Sequence, residues 1–135
     1  MKDYFVKEIG WLLQEKYNGK KTTAFKKDIQ RLMRGEPLDH IIGFVEFLGC
    51  KILVGPEVLI PRPETEFMTE QAIEEISQEM AGRTKFEKRI LDMFAGSGCI
   101  GLAVLKHVKN VYVVFVDSEK DAVMQIKKIC SINKV

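Results

Sequence analysis

The residues best suited to chemistry lie between two apolar runs in the C-terminal half of the chain. A predicted strand at 89–93 is followed by three glycines in the pattern Gly96-x-Gly98-x-x-Gly101. Asp117 directly follows the next apolar run. Glycine is needed where a ligand must approach the backbone closely or where φ turns positive. A strand, a glycine turn, a helix and an acid at the end of the next strand form a nucleotide-binding half-unit, in which the acid can accept hydrogen bonds from ribose hydroxyls. The spacing therefore predicts a site for an adenosyl or adenine-nucleotide cofactor.

Two cofactors fit this pattern, and the acid before the turn distinguishes them. The glycine spacing alone is that of a dinucleotide fingerprint and favours NAD. Asp92, however, places a carboxylate at the mouth of the strand, where it would repel a pyrophosphate and suit an ammonium group. S-adenosylmethionine (SAM) carries an ammonium, a sulfonium and no phosphate. We therefore predict SAM, with an NAD-dependent oxidoreductase and a glycine turn that binds nothing as the alternatives.

Size, charge and cysteine content exclude several classes of protein. A chain of 135 residues holds at most one ordinary domain and an appendage. The net charge of +2 gives no strong nucleic-acid signal, and the three cysteines form no Cys-x-x-Cys pair, so no metal site is predicted. The sequence shows neither a signal peptide nor an apolar run of transmembrane length, which predicts a cytoplasmic protein without a membrane partner.

The elements that must position the site begin with helices and a hairpin. Apolar residues at helical spacing predict two N-terminal helices, the second of which runs from a cap at Thr22 or Thr23 to Gly35. The β-rich runs at 44–48 and 50–54 predict a hairpin. The prolines after the hairpin predict an extended connector, because each proline disfavours a helix at the residue before it.

A long helix and a βαβ unit follow the connector. The helix is predicted to begin near Pro63, to end near a cap at Gly82, and to bury Met68, Ala72, Ile76 and Met80. A polar loop is predicted from Ala81 to Lys88. Strands are predicted at 89–93 and 111–116 around a helix at about 99–108, and Ser118-x-x-Asp121 resembles a capping box for a last helix.

These elements predict an α/β protein of three parts. They are a short N-terminal helical segment (1–40), a β-hairpin linker (41–62) and the first βαβα part of a doubly wound, Rossmann-like sheet (63–135).

Several motifs together resemble the release factor glutamine methyltransferase family. They are Gly35-Glu36-Pro37-Leu38-x-His40-Ile41-x-Gly43, Glu46-Phe47, Leu59-Ile60-Pro61-Arg62-Pro63-Glu64-Thr65-Glu66, and the Asp92–Gly98 loop with Asp117. The Ile-Pro-Arg-Pro-Glu-Thr-Glu string is the most specific of these, and the resemblance runs from about Gly35 to the C-terminus. It implies a class I SAM-dependent methyltransferase that methylates the side-chain amide nitrogen of a glutamine in peptide chain release factors, a step connected with translation termination.

The resemblance implies a cofactor site in three groups of residues. The loop under the cofactor is Phe94, Ala95, Gly96, Ser97 and Gly98. Asp117 is expected to hold the ribose, and Asp92 to support the loop or the methionine end. Arg62, Glu64 and Thr65 are expected to border the methyl-donor pocket; the alternative is a helix start in which Arg62 pairs with a nearby acid.

Three features depart from the family pattern. The N-terminal helical part is shorter than the family's bundle. Phe94 stands where the family commonly has a glycine, and Asp-x-Phe-Ala-Gly-Ser-Gly also resembles the loop of N6-adenine and N4-cytosine DNA or rRNA methyltransferases. The family's Asn-Pro-Pro-Tyr motif, which holds the glutamine amide, does not occur in these 135 residues, so no catalytic residue is assigned. We expect a truncated methyltransferase that is inactive in isolation, with an inactive SAM-binding remnant as the alternative; the oligomeric state is left open.

Overall fold

The structure is a computed structural model that describes residues 2–56, 58–82 and 88–135. The described part divides into two units, Met1–Phe44 and Val45–Val135. The prediction of parts bounded at 40/41 and 62/63 stays a prediction. In chain order the elements are α1 (Lys2–Glu15), α2 (Thr23–Met33), α3 (Leu38–Ile42), β1 (Phe44–Phe47), β2 (Cys50–Leu53), α4 (Pro63–Met80), β3 (Lys88–Met93), α5 (Cys99–His107), β4 (Val111–Val116) and α6 (Lys120–Asn133).

The N-terminal unit consists of α1, α2 and α3 around a small apolar core. Its buried residues are Leu12, Phe25, Leu32 and Ile41. The Thr22 side chain accepts a hydrogen bond from the Phe25 N–H at 3.1 Å, as expected for the cap of α2. The sequence analysis missed α3, a five-residue helix that ends at Gly43 in the left-handed conformation.

The hairpin of β1 and β2 turns at two residues with positive φ, Leu48 (45°) and Gly49 (72°). Positive φ at both central residues is typical of the tight turn whose twist matches that of the two strands. The hairpin packs in the same core as α5 and α6, through Phe47, Cys50 and Ile52. It is therefore a packed part of the C-terminal unit.

Helix α4 begins with Pro63 in its first turn and ends near Ala81. The predicted buried stripe is partly wrong: Met68 is exposed, whereas Thr69 is fully buried and Ile73 and Ile76 pack in the core. The Thr69 hydroxyl donates to the Thr65 carbonyl at 2.7 Å. Because this hydroxyl is satisfied within the helix, a threonine can take a core position that the pattern of apolar residues assigns to its neighbour. Gly82, the predicted cap, has φ of 76° just after the helix, while 83–87 of the predicted polar loop lie outside the described residues.

Strands β3 and β4 are parallel and pair from Lys88↔Val111 to Met93↔Val116. Helix α5 connects them and packs on the sheet face that carries Val113, and α4 packs against α5. This βαβ unit confirms the prediction, and the carboxyl ends of both strands lie at one edge of the sheet. None of the helices within the described ranges is both long and apolar enough to cross a membrane.

Helix α6 buries Ala122, Ile126 and Ile129, which recur at helical spacing. The predicted capping box is wrong, because the helix is preceded by Glu119 and its first turn receives no side-chain capping bond. Instead, Asp117 accepts the Glu119 N–H at 2.9 Å, in a turn that lies before the helix. The acid at the end of β4 therefore orders the turn that precedes α6.

Candidate functional site

The backbone between β3 and α5 follows a left-handed path at the carboxyl ends of the two parallel strands. Phe94, Gly96 and Gly98 have φ of 56°, 52° and 73°. The Ala95 N–H donates to the Val116 carbonyl at 3.1 Å, which extends the pairing of the strands by one step. The Gly98 N–H donates to the Ala95 carbonyl at 2.7 Å and closes the turn. This edge is where open α/β sheets bind ligands.

Asp117 fixes this loop from the neighbouring strand. Its Oδ2 accepts the Gly96 N–H at 2.7 Å, and its Oδ1 accepts the Glu119 N–H at 2.9 Å. The N–H donors of Glu119 and Gly96 lower the pKa of Asp117 below its usual range, because they stabilise the charged form. The carboxylate is thus held ionised, and its four lone pairs outnumber these donors.

Asp92 contacts the helix that follows the loop. It is buried, and its Oδ2 accepts the Gly101 N–H at 3.0 Å. Burial raises the pKa of Asp92, and the Gly101 N–H opposes that rise only in part. Asp92 therefore supports the start of α5, and its expected role at the loop or at the methionine end of a cofactor stays a prediction.

Two of the three motif glycines are required by close packing. A Cβ at Gly101 would lie 2.4 Å from Phe115 Cε1 and 2.9 Å from Asp92 Oδ2. A Cβ at Gly98 would lie 2.8 Å from Ile126 Cγ1, and the residue also has positive φ. Gly96 differs, since a Cβ there would meet only the Phe94 carbonyl oxygen at 3.9 Å, so its positive φ alone favours glycine.

The loop and Asp117 border two cavities. The larger one measures about 520 Å³ and is lined by Gly55, Pro56, Val58, Leu59, Gly96, Asp117, Glu119, Asp121, Ala122 and Gln125. The smaller one measures about 180 Å³ and is lined by Leu59, Ile60, Pro61, Arg62, Thr65, Phe94, Ala95, Gly96, Ser97 and Cys99. Leu59 and Gly96 border both, so the two cavities adjoin along the loop.

The structure brings most of the predicted site residues together. Six line the smaller cavity (Arg62, Thr65, Phe94, Ala95, Gly96 and Ser97), and Gly96 and Asp117 line the larger one. Three predicted residues border neither cavity: Asp92 bonds the Gly101 N–H in α5, Gly98 packs against Ile126, and Glu64 is exposed in the first turn of α4.

The sequence analysis missed one wall of the larger cavity. The connector after β2 contributes Gly55, Pro56, Val58 and Leu59, and α6 contributes Gln125. The two prolines predicted that the connector is extended, but no local pattern showed that it passes beside Asp117. Glu119 and Asp121 could have been found from their closeness to Asp117 in the sequence, because they lie at the start of the helix that follows β4.

The charge of the larger cavity suits a cofactor without phosphate. Asp117, Glu119 and Asp121 all border it, and its described lining contains no lysine or arginine. Three carboxylates would repel a phosphate, whereas ribose hydroxyls and an ammonium group could donate to them. The volume of about 520 Å³ is within the usual range for small-molecule sites. The residues present therefore fit SAM better than a dinucleotide.

This parallel βαβ unit with its acid-anchored loop defines a class of protein that the comparisons identify. Residues 69–135 match the family model of the methyltransferase small domain. The chain is thus a relative of class I methyltransferases, with a mixed α/β fold.

The curated relatives of the chain are more specific. A release factor glutamine methyltransferase of Thermodesulfovibrio yellowstonii is 40% identical over 112 residues, which cover 83% of this chain and 39% of that protein. Proteins of the same name from Aliivibrio fischeri and Escherichia coli are 34% and 36% identical, over 82% and 70% of this chain and 37% and 32% of their own length. The chain resembles the release factor glutamine methyltransferase family, as its motifs indicate, and it spans about a third to two fifths of the length of these relatives.

Proposed function

We propose that this chain forms the SAM-binding part of a methyltransferase that modifies a glutamine side-chain amide in peptide chain release factors. The observation that carries the proposal is the bond from the Gly96 N–H to Asp117, beside a cavity lined by carboxylates. The Ile60–Glu66 string and the relatives' shared name support the acceptor. The expected cytoplasmic location belongs to the same proposal.

Each part of the site has a distinct task in this proposal. Asp117 accepts from the ribose hydroxyls while it holds the loop, and residues 94–98 provide a surface that a ligand can approach closely. Arg62 and Thr65 border the smaller cavity, which suits the methionine end of the cofactor. Asp92 and Gly101 keep α5 against the strands so that the loop stays in place.

The chemistry expected of the chain is one of positioning. SAM, when bound, supplies an activated methyl group on its sulfonium. The nitrogen of an amide is a poor nucleophile because its lone pair is delocalised, so transfer depends on holding it in line with that methyl group. These 135 residues contain no Asn-Pro-Pro-Tyr motif to hold the amide. We therefore assign them the binding of the cofactor and no catalytic residue.

A methyltransfer assay with the full-length gene product tests the acceptor. Incubation with labelled SAM and a mixture of release factor and RNA should label the release factor at a glutamine. The variant Asp117→Ala, which removes the acceptor of the Gly96 N–H, should abolish the labelling. An Asn-Pro-Pro-Tyr motif in frame after Val135 in the coding DNA would support the same assignment.

The second candidate is an amino methyltransferase that acts on DNA or rRNA. The Phe94-Ala95-Gly96-Ser97-Gly98 loop favours it, whereas the net charge of +2 does not. Label in the RNA and none in the release factor would select this candidate.

The isolated 135-residue chain is expected to bind SAM without transferring its methyl group. Methyl transfer by that chain would contradict our view that it carries no catalytic residue.

A further inference from the structure

Gln125 connects two walls of the larger cavity. It lies on α6 and lines the cavity, and its Nε2 donates to the Leu53 carbonyl at 2.6 Å. Leu53 is the last residue of β2, immediately before the connector that forms the opposite wall. The bond therefore joins residues 72 positions apart in the sequence.

This bond determines which polar groups of Gln125 are left for a ligand. A carbonyl oxygen can only accept, so the side-chain nitrogen faces Leu53 and uses one of its two N–H groups there; the oxygen Oε1 and the second N–H remain. The other polar side chains on the described lining are the carboxylates of Asp117, Glu119 and Asp121. Apart from that one N–H, the polar side chains of the described lining present hydrogen-bond acceptors, and such a surface favours ligand groups that donate.

We propose that Gln125 determines the base specificity of this cavity, with its Oε1 accepting a hydrogen bond from the exocyclic amino group of adenine. This inference rests on the proposed SAM-binding function and adds a residue to it. Hypoxanthine has a carbonyl oxygen where adenine has its amino group. An inosyl ligand would therefore bring an acceptor against an acceptor, and a buried polar group without a partner is costly.

The chain offers a matched control for this role. Asn133 also lies on α6 and also binds the backbone of β2: it accepts the Lys51 N–H at 2.8 Å and donates to the Lys51 carbonyl at 2.9 Å. Asn133 is not among the residues that line the larger cavity. The two side chains share a structural role, and only Gln125 can contact a ligand there.

The test measures the binding of two ligands by calorimetry, to the whole 135-residue chain. The ligands are S-adenosylhomocysteine and S-inosylhomocysteine, which differ only in the base. The wild-type chain should bind the adenosyl compound roughly tenfold more tightly, as expected for one unmatched hydrogen bond. The variant Gln125→Met, which keeps the length of the side chain and removes the amide, should reduce this ratio to about one. Asn133→Leu should lower the unfolding midpoint and leave the ratio unchanged.

The outcomes separate this inference from the function on which it rests. If the wild-type chain binds neither compound, the proposed function fails and the inference fails with it. If it binds both equally, or if Gln125→Met keeps the wild-type ratio, the inference fails alone. Should Gln125→Met not fold, Gln125→Ala takes its place, and the ratio measured for the wild-type chain still decides the outcome.

Discussion

At the scale of single residues, close packing explains why the loop motif includes a third glycine, Gly101. Gly101 lies in α5, where a side chain would collide with Phe115 and with Asp92 Oδ2. The phenyl ring is held between the helix and the sheet, so it cannot move away freely. Gly101 thus serves the contact between helix and strand, while Gly96 serves the turn.

The first prediction concerns this contact. Gly101→Ala should reduce the free energy of unfolding by about 1 to 3 kcal/mol, because it overpacks the interface. Gly55→Ala is the control, since a Cβ there meets no atom within 4 Å. Urea denaturation of both variants measures the difference. A Gly101→Ala chain as stable as the wild type would show that the interface yields without cost.

The second prediction follows from the lowered pKa of Asp117. A carboxyl whose pKa is lower in the folded state stabilises the fold above its unfolded pKa, near 3.8, and loses this effect as the pH falls through the folded value. Asp117→Asn should therefore be less stable than the wild type at neutral pH. The difference in free energy of unfolding between the two proteins should become smaller below about pH 3.8. Thermal unfolding across this range provides the measurement, and a gap independent of pH would contradict it.

The third prediction has the opposite sign and concerns Asp92. Because burial raises its pKa, the folded state holds the proton more tightly than the unfolded state. The contribution of Asp92 to the stability of the fold is therefore fully present below its pKa in the unfolded state. It falls as the pH rises through its pKa in the folded state. Asp92→Asn should remove this fall from the pH profile of stability. The same acid titrations as for Asp117→Asn measure it, and the two variants should change the profile in opposite directions.

At the scale of elements, the hairpin is held by helices at its turn. Glu66 Oε1 accepts the Leu48 N–H at 2.8 Å, His107 Nε2 lies 2.7 Å from the Leu48 carbonyl oxygen, and the Lys106 ammonium contacts the Gly49 carbonyl. Glu66 is the last residue of the Ile-Pro-Arg-Pro-Glu-Thr-Glu string. One end of that string therefore holds the hairpin, while Arg62 and Thr65 border the smaller cavity.

The fourth prediction tests Glu66 as an anchor for the turn. Glu66→Ala should cost about 1 kcal/mol of stability, because the Leu48 N–H loses its acceptor. Glu66→Gln keeps an acceptor oxygen and should recover most of that loss. Equal destabilisation by the two variants in chemical denaturation would indicate that the charge of Glu66, rather than this bond, stabilises the hairpin.

At the scale of the whole molecule, one face of the parallel sheet carries exposed apolar side chains. Leu91 and Met93 of β3 lie beside Val114 and Val116 of β4, and Tyr112 continues the row. These five side chains, here called the open sheet face, are between 41% and 59% exposed. Contiguous exposed apolar surface of this kind favours association.

The fifth prediction is that the isolated chain self-associates through the open sheet face. Sedimentation velocity should show a mass that rises with concentration, and Val114→Lys should suppress the rise. Met124→Lys is the control, since Met124 is similarly exposed but lies on α6. A wild-type chain that stays monomeric, or a control that suppresses association equally well, would contradict the prediction.

Predictions from sequence succeeded where the deciding forces are local. The Thr22 cap and helix α2 follow from residues three or four positions apart, and the hairpin follows from the two β-rich runs on either side of Gly49. The predictions failed where two nearby residues could each fill the same structural role. The α4 stripe was displaced by Thr69, whose hydroxyl bonds its own helix, and the capping box at Ser118 was replaced by the turn that Asp117 forms.

The sequence by itself determined the strand, the left-handed turn at Gly96 and Gly98, and the acid at the end of the next strand. Each of these depends on the φ that a residue tolerates or on the period of its neighbours, which are properties of short segments. Only the tertiary structure decided that Gly101 serves packing, that the connector forms a cavity wall, and that Gln125 meets Leu53. These contacts are formed by chain folding that brings distant residues together, so no window of neighbouring residues contains them.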